Sequence, residues 1–189
     1  MLAMLLTIAL AQFPESTCVT TNGTGACGYD CKTTNGKAAC AATPLGKCVT
    51  TDGKIFCADP PPFVMRLGLD AQMQCATTNG TGACGYDCKT TNGKAACATT
   101  PFGKCVTTNG KIFCADPPGS VLRYGVPEQM RCVTTNGTAA CGYSCVTANG
   151  AARCSMVPWG ACTRTNGQIF CSDGAQPSPA NCVNGTCEY

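Results

Sequence analysis

Cysteine is the one residue type in this chain present in enough numbers, and spaced regularly enough, to do chemistry: twenty of the 189 residues. A thiolate can act as a nucleophile, hold zinc or exchange with a disulfide, and each of these roles needs partners. The chain has no histidine, which excludes histidine-based Ser or Cys triads and histidine metal ligands. The Cys-x3-Cys of "CGYDC", Cys27 to Cys31, has the outline of a metal pair. Its context is that of a disulfide scaffold, because one residue in ten is cysteine. Asp30, Asp59, Asp87 and Asp116 are isolated carboxylates and read as turn residues rather than general acids. No phosphate-binding loop is present. The expectation is a non-enzyme with no cofactor and no metal.

The cysteines follow a repeat. Cys18, Cys75 and Cys132 are each 57 residues apart, and within each repeat the six cysteines keep spacings of 9, 4, 9, 8 and 9. "ACGYDCKTTNGKAACA" occurs unchanged in the first two repeats and drifts in the third, as terminal repeats do. An Asn-Gly or Asp-Gly pair stands midway between paired cysteines throughout. Both residues of such a pair accept the positive φ of a two-residue type I′ turn, and the flanking Val, Thr and Ile favour strands. Counting outward from the turn, the cysteines fall on non-hydrogen-bonded pairs, where facing side chains are close enough for a disulfide. The spacing therefore predicts one bridge per hairpin: Cys18–Cys27, Cys31–Cys40, Cys48–Cys57, Cys75–Cys84, Cys88–Cys97, Cys105–Cys114, Cys132–Cys141, Cys145–Cys154, Cys162–Cys171 and Cys182–Cys187. Pairing between neighbouring hairpins, such as Cys27 with Cys31, is the competing connectivity.

Composition supports this scheme. With 12% charged and 6% aromatic residues, burial alone cannot hold the chain together, and disulfides must replace a core. That implies an oxidising, extracellular location. The net charge of +3 is scattered and points to neither nucleic acid nor an anionic membrane. The apolar stretch of residues 2–11 ends in Ala9-Leu10-Ala11. It has the length of a signal peptide and is too short to span a bilayer.

The fold class expected is all-β, small and disulfide-rich, with tandem modules of three clamped hairpins stacked into an elongated rod. Residues 1–11 are a signal-like segment or a retained connector strand, and 12–17 a lead-in. Modules occupy 18–57, 75–114 and 132–171, joined by connector strands at 58–74 and 115–131, with a tail and short hairpin at 172–189. In the connectors, Met65, Leu67 and Leu69 alternate, as do Leu122, Tyr124 and Val126, which reads as a strand with one apolar face. Ile8 and Leu10 fall one period before Met65 and Leu67, so a retained N-terminal strand could dock onto a neighbouring molecule, head to tail. The pairs Ile55-Phe56, Ile112-Phe113 and Ile169-Phe170 are expected to hold the three hairpins of each module together.

Asn22, Asn79, Asn136 and Asn184 each head an Asn-Gly-Thr acceptor for N-linked glycans; turn chemistry alone would also produce this pattern. The function these features favour is an extracellular fibril or filament subunit, self-associating and carrying covalent glycans. A secreted binding module is the second reading, either a protease inhibitor presenting Lys47 or Lys104 or a glycan binder. Ice binding is the third, and Lys32, Lys37 and Lys54 interrupt the flat threonine array it requires.

Overall fold

A computed structural model describes residues 15–66, 72–123 and 129–174, together with the backbone of 181–183 and 186–188. The chain is all-β, built of small antiparallel hairpins. In the first repeat these are β1 (Thr17–Thr21), β2 (Thr24–Thr34), β3 (Lys37–Ala41), β4 (Lys47–Thr51) and β5 (Lys54–Ala58), followed by a helical turn α1 (Pro62–Arg66). The second has β6 (Gln74–Thr78), β7 (Thr81–Thr91), β8 (Lys94–Ala98), β9 (Lys104–Thr108), β10 (Lys111–Ala115) and α2 (Gly119–Arg123). The third has β11 (Arg131–Thr135), β12 (Thr138–Ala148), β13 (Ala151–Ser155), β14 (Ala161–Thr165) and β15 (Gln168–Ser172). The tail adds β16 (Asn181–Val183) and β17 (Thr186–Glu188).

Each turn forms as its residues require. Asn22 and Gly23 have φ of 44° and 80°, and this sets Thr21 opposite Thr24 and Cys18 opposite Cys27. All nine bridges of the described residues pair cysteines within a hairpin, with Cα–Cα distances of 4.0–4.1 Å. Cys182 stands opposite Cys187 in the backbone register; their side chains lie outside the described residues. A closed loop of this size contributes about 2–3 kcal/mol in the chain-entropy view.

The first two hairpins of a repeat are not separate, because they share one strand. β2 pairs with β1 through its first half and with β3 through its second, with a register break between Tyr29 and Lys32. The break is a bulge in which Asp30 has φ 44°, a conformation short polar side chains tolerate. Gly28 is needed beside it, since an added methyl would collide with the Ala41 carbonyl oxygen and stand 2.9 Å from Cys40 Cβ. The strand folds back at this point and brings the turn at Asn22 against the turn at Gly36.

The connectors differ from the strand pattern their alternation suggested. Met65 lies in α1 and Leu122 in α2. The Pro61 and Pro118 carbonyls accept the first-turn bonds from the Val64 and Val121 amides, both at 3.0 Å. Prolines cannot donate to a sheet ladder but are well placed just before or at the start of a helical turn. A short apolar run does not distinguish the two outcomes. Val64, Val121 and Leu122 are buried, while Met65 is 42% exposed. Leu67, Leu69, Tyr124, Val126, Ile8 and Leu10 lie outside the described residues.

The apolar contacts are small and local. Met73, from the connector, packs with Tyr86, Ala98 and Cys105, and Ile112 covers the cluster. Burial raises the pKa of the Tyr86 phenol, and its hydroxyl has no hydrogen-bond partner. A buried hydroxyl without a partner costs stability. Tyr86→Phe is therefore expected to raise stability by about 1 kcal/mol, read from denaturant unfolding with the disulfides intact; a loss of stability would show that the hydroxyl is satisfied in solution.

Candidate functional site

The side chains that could have done chemistry are occupied in holding hairpins together. Every described cysteine is bonded, and no group of three or more His, Cys, Asp or Glu able to hold a metal occurs among the described residues. In the β2 bulge, Asp30 accepts from Lys32 Nζ at 2.6 Å and, through its other oxygen, from the Cys48 amide of the next hairpin at 2.8 Å. Asp87 repeats this with Lys89 and the Cys105 amide. In the third repeat Ser144 accepts from the Cys162 amide at 3.1 Å. Burial pushes the Asp30 carboxyl up, but the Cys48 N–H and the Lys32 and Lys47 ammoniums outweigh it, and the carboxyl sits below the ordinary Asp range. Asp87 is lowered by the same balance.

A second clasp lies at the loop after each middle hairpin. Asp59 accepts from the Ala42 and Thr43 amides at 3.1 and 2.7 Å. Asp116 does so from Thr99 and Thr100 at 2.9 and 2.7 Å. Asp173 takes the Ser155 hydroxyl at 2.7 Å and the Met156 amide at 3.0 Å. These carboxylates anchor turns in neighbouring segments, a role that sequence spacing alone does not reveal.

The nine described hairpin turns form a column. The side chains of Asn22, Asn35, Asp52, Asn79, Asn92, Asn109, Asn136 and Asn149 lie respectively against Gly36, Gly53, Gly80, Gly93, Gly110, Gly137, Gly150 and Gly167 of the following turn. The Asn149 amide donates to the Gly167 carbonyl at 3.2 Å. The order is unbroken at the repeat boundaries, where Asp52 meets Gly80 and Asn109 meets Gly137. The acceptor threonines take part as well: the Thr24, Thr81 and Thr138 hydroxyls donate to the Gly36, Gly93 and Gly150 carbonyls at 2.5–2.7 Å. Asn22, Asn79 and Asn136 are exposed, as are Asp52 and the other asparagines of the column. A methyl added at Gly36, Gly93 or Gly150 would meet the amide nitrogens of Asn22, Asn79 and Asn136 at 3.2, 3.7 and 3.3 Å, whereas at Gly53, Gly110, Gly137 or Gly167 it would collide with the asparagine. Asn184 lies outside the described residues.

Phe56 does more than hold its own repeat together. Phe56 reaches across the repeat boundary: a methyl on Gly82 would stand 2.8 Å from its ring and 3.3 Å from Val49 Cγ1. Gly82 leaves room for the ring.

Lys47 and Lys104 open β4 and β9, where they pair with Ala58 and Ala115, so neither stands at the tip of a free loop. Two shallow grooves recur 57 residues apart, one lined by Lys37, Lys54, Ile55 and Phe56, the other by Lys94, Lys111, Ile112 and Phe113. No family model, curated protein or solved structure matches the chain.

The Asp30 and Asp87 clasps of the first two bulges carry a pH dependence that Ser144 of the third cannot. A carboxyl lowered by folding adds stability above its unfolded pKa of about 3.9, and that contribution is lost as pH falls through the folded value. Hydrogen-exchange protection of the Cys48 and Cys105 amides should therefore drop between about pH 5 and about pH 2, while that of Cys162, bonded to Ser144, should not. Equal pH dependence at all three amides would rule out the clasp as the cause.

Proposed function

We propose that this is a non-enzymatic extracellular structural protein: an elongated rod of disulfide-clamped hairpins that self-associates into a fibril or surface filament. The observation that carries this reading is the turn column, which runs through the repeat boundaries without a break. Packed strands belong to one hairpin or to consecutive hairpins, the contact pattern of a quasi-one-dimensional array. Bridges confined to single hairpins fit an oxidising compartment and leave every unit independently clamped. Asn22, Asn79 and Asn136, on one line of turn tips, are the places for N-linked glycans.

Joining head to tail fits the same reading; of the connector residues expected to join molecules, Met65 and Leu122 lie in helical turns, and Leu67, Leu69, Tyr124 and Val126 lie outside the described residues. The secreted protein should scatter as a rod, with a radius of gyration well above the roughly 16 Å of a compact chain of this length, and should form filaments in negative-stain micrographs. A compact, monodisperse particle at high concentration would overturn the proposal. Peptide-N-glycosidase treatment of protein from a glycosylating host should lower the intact mass, and an unchanged mass would remove the glycans from it.

A further inference from the structure

Every hairpin has two unlike faces. Cross-strand pairs alternate between the faces of a two-stranded sheet, so the cystine and the pair two steps from it share one face and the intervening pair occupies the other. In β4–β5 the cystine Cys48–Cys57 shares its face with Thr50 and Ile55, and Val49 and Phe56 lie opposite. The cystine face points back along the chain. Cys31 Sγ lies 3.4 Å from the Thr17 carbonyl oxygen of the preceding hairpin, Cys88 Sγ 3.4 Å from that of Gln74 and Cys145 Sγ 3.5 Å from that of Arg131. Cys84 Sγ lies 3.7 Å from the Phe56 carbonyl oxygen. The array is therefore polar, with the forward face of one hairpin lying on the cystine face of the next.

The two ends are left complementary. The cystine face of β1–β2 carries Cys18, Cys27, Thr20 and Gly25, all exposed, while Val19 and Ala26 on its other face are partly covered. The forward face of β14–β15 carries the pair Thr163 and Phe170, and Phe170 is 56% exposed. This pair matches Val49 and Phe56, and Gly25 matches Gly82, which receives the Phe56 ring. Glycine inside a strand weakens it and marks a place where another group comes close. At Gly82 that group is Phe56. At Gly25 an added methyl would meet nothing nearer than Thr20 Cγ2 at 3.5 Å, so nothing in the described chain uses the space.

We propose that this space belongs to a second copy of the chain: Phe170 of one molecule seats on Gly25 of the next, repeating the internal Phe56–Gly82 junction between molecules. The proposal rests on the self-association reading above and names its contact surface. Because the two faces differ, the contact is heterologous, and its repetition gives an open chain of molecules rather than a closed dimer.

The test uses full-length protein, sedimentation velocity and electron microscopy. Wild type should elongate with concentration. Phe170→Lys and Gly25→Arg should each abolish species longer than a monomer, both substitutions being at exposed positions. An equimolar mixture of the two variants should give dimers and nothing longer, since only the Phe170 face of the Gly25→Arg molecule and the Gly25 face of the Phe170→Lys molecule remain intact. That dimer also shows that both variants are folded. Filaments that persist in either variant, or a mixture without dimers, would overturn this interface and leave the filament reading standing. Wild type that stays monomeric would overturn both.

Discussion

A cystine set on a non-hydrogen-bonded pair, at a fixed distance from a two-residue turn, is the constraint on which everything else in this chain depends. The turn fixes the register, and the register fixes which residues face each other. The bridge then closes a loop small enough to stand without a core. It also makes the two faces of the hairpin unlike, because the sulfurs occupy one of them. A chain with few large apolar side chains can order itself in this way because each unit of about ten residues is stabilised chiefly through its unfolded state. Contacts between units then need only be small.

Those contacts are small: strands pack within a hairpin or on the next one, and Met73 of the connector packs on Tyr86, Ala98 and Cys105. Asparagine amides lie on glycines in the turn column, single carboxylates or hydroxyls reach the amides of the next hairpin, and one phenylalanine fits over a glycine. No described strand packs against one more than a hairpin away. The 57-residue period is thus a period of decoration, while the mechanical unit is the hairpin. Ile55 and Phe56 show the division: they are neighbours in sequence and point to opposite faces, so Ile55 lies on the cystine face and Phe56 projects toward the next repeat.

The hairpins and their bridges were legible from sequence because both are decided within ten residues, by Asn-Gly turn chemistry and period-two counting. What lay beyond that range was not. The fold-back in β2 depends on Gly28 approaching Ala41 and on Asp30 reaching Cys48, contacts between residues 13 and 18 positions apart. In sequence, Asp30 looks like any polar residue between two hairpins. Met65 and Leu122 differ from expectation for another reason: a short apolar run is as compatible with one helical turn as with a strand, and the prolines before these two residues open a turn. The separation of roles between Ile and Phe is visible in retrospect from alternation alone, but which face looks forward is not.

The polarity of the array has a consequence for stability as well as for assembly. In the proposed rod, as in any quasi-one-dimensional array, interior units are held from both sides and terminal units from one. β1–β2 keeps the cover of β3 on its forward side, and its cystine is more exposed than Cys75–Cys84 or Cys132–Cys141, the equivalent bridges that have a hairpin before them. β14–β15 has lost the Val found at positions 49 and 106, with Thr163 in its place, and carries Arg164, whose guanidinium turns back to the Thr147 carbonyl at 3.4 Å. Repeat proteins commonly close their ends with polar caps. Here the substitution stops short of that: Thr163 reduces the apolar area of the last face, yet Phe170 is kept, and with it the one side chain that fits a glycine on a cystine face. A face that is less greasy but still shaped for a partner suits a junction that forms between separate molecules, because it avoids a large exposed apolar patch while keeping the group that sets the fit.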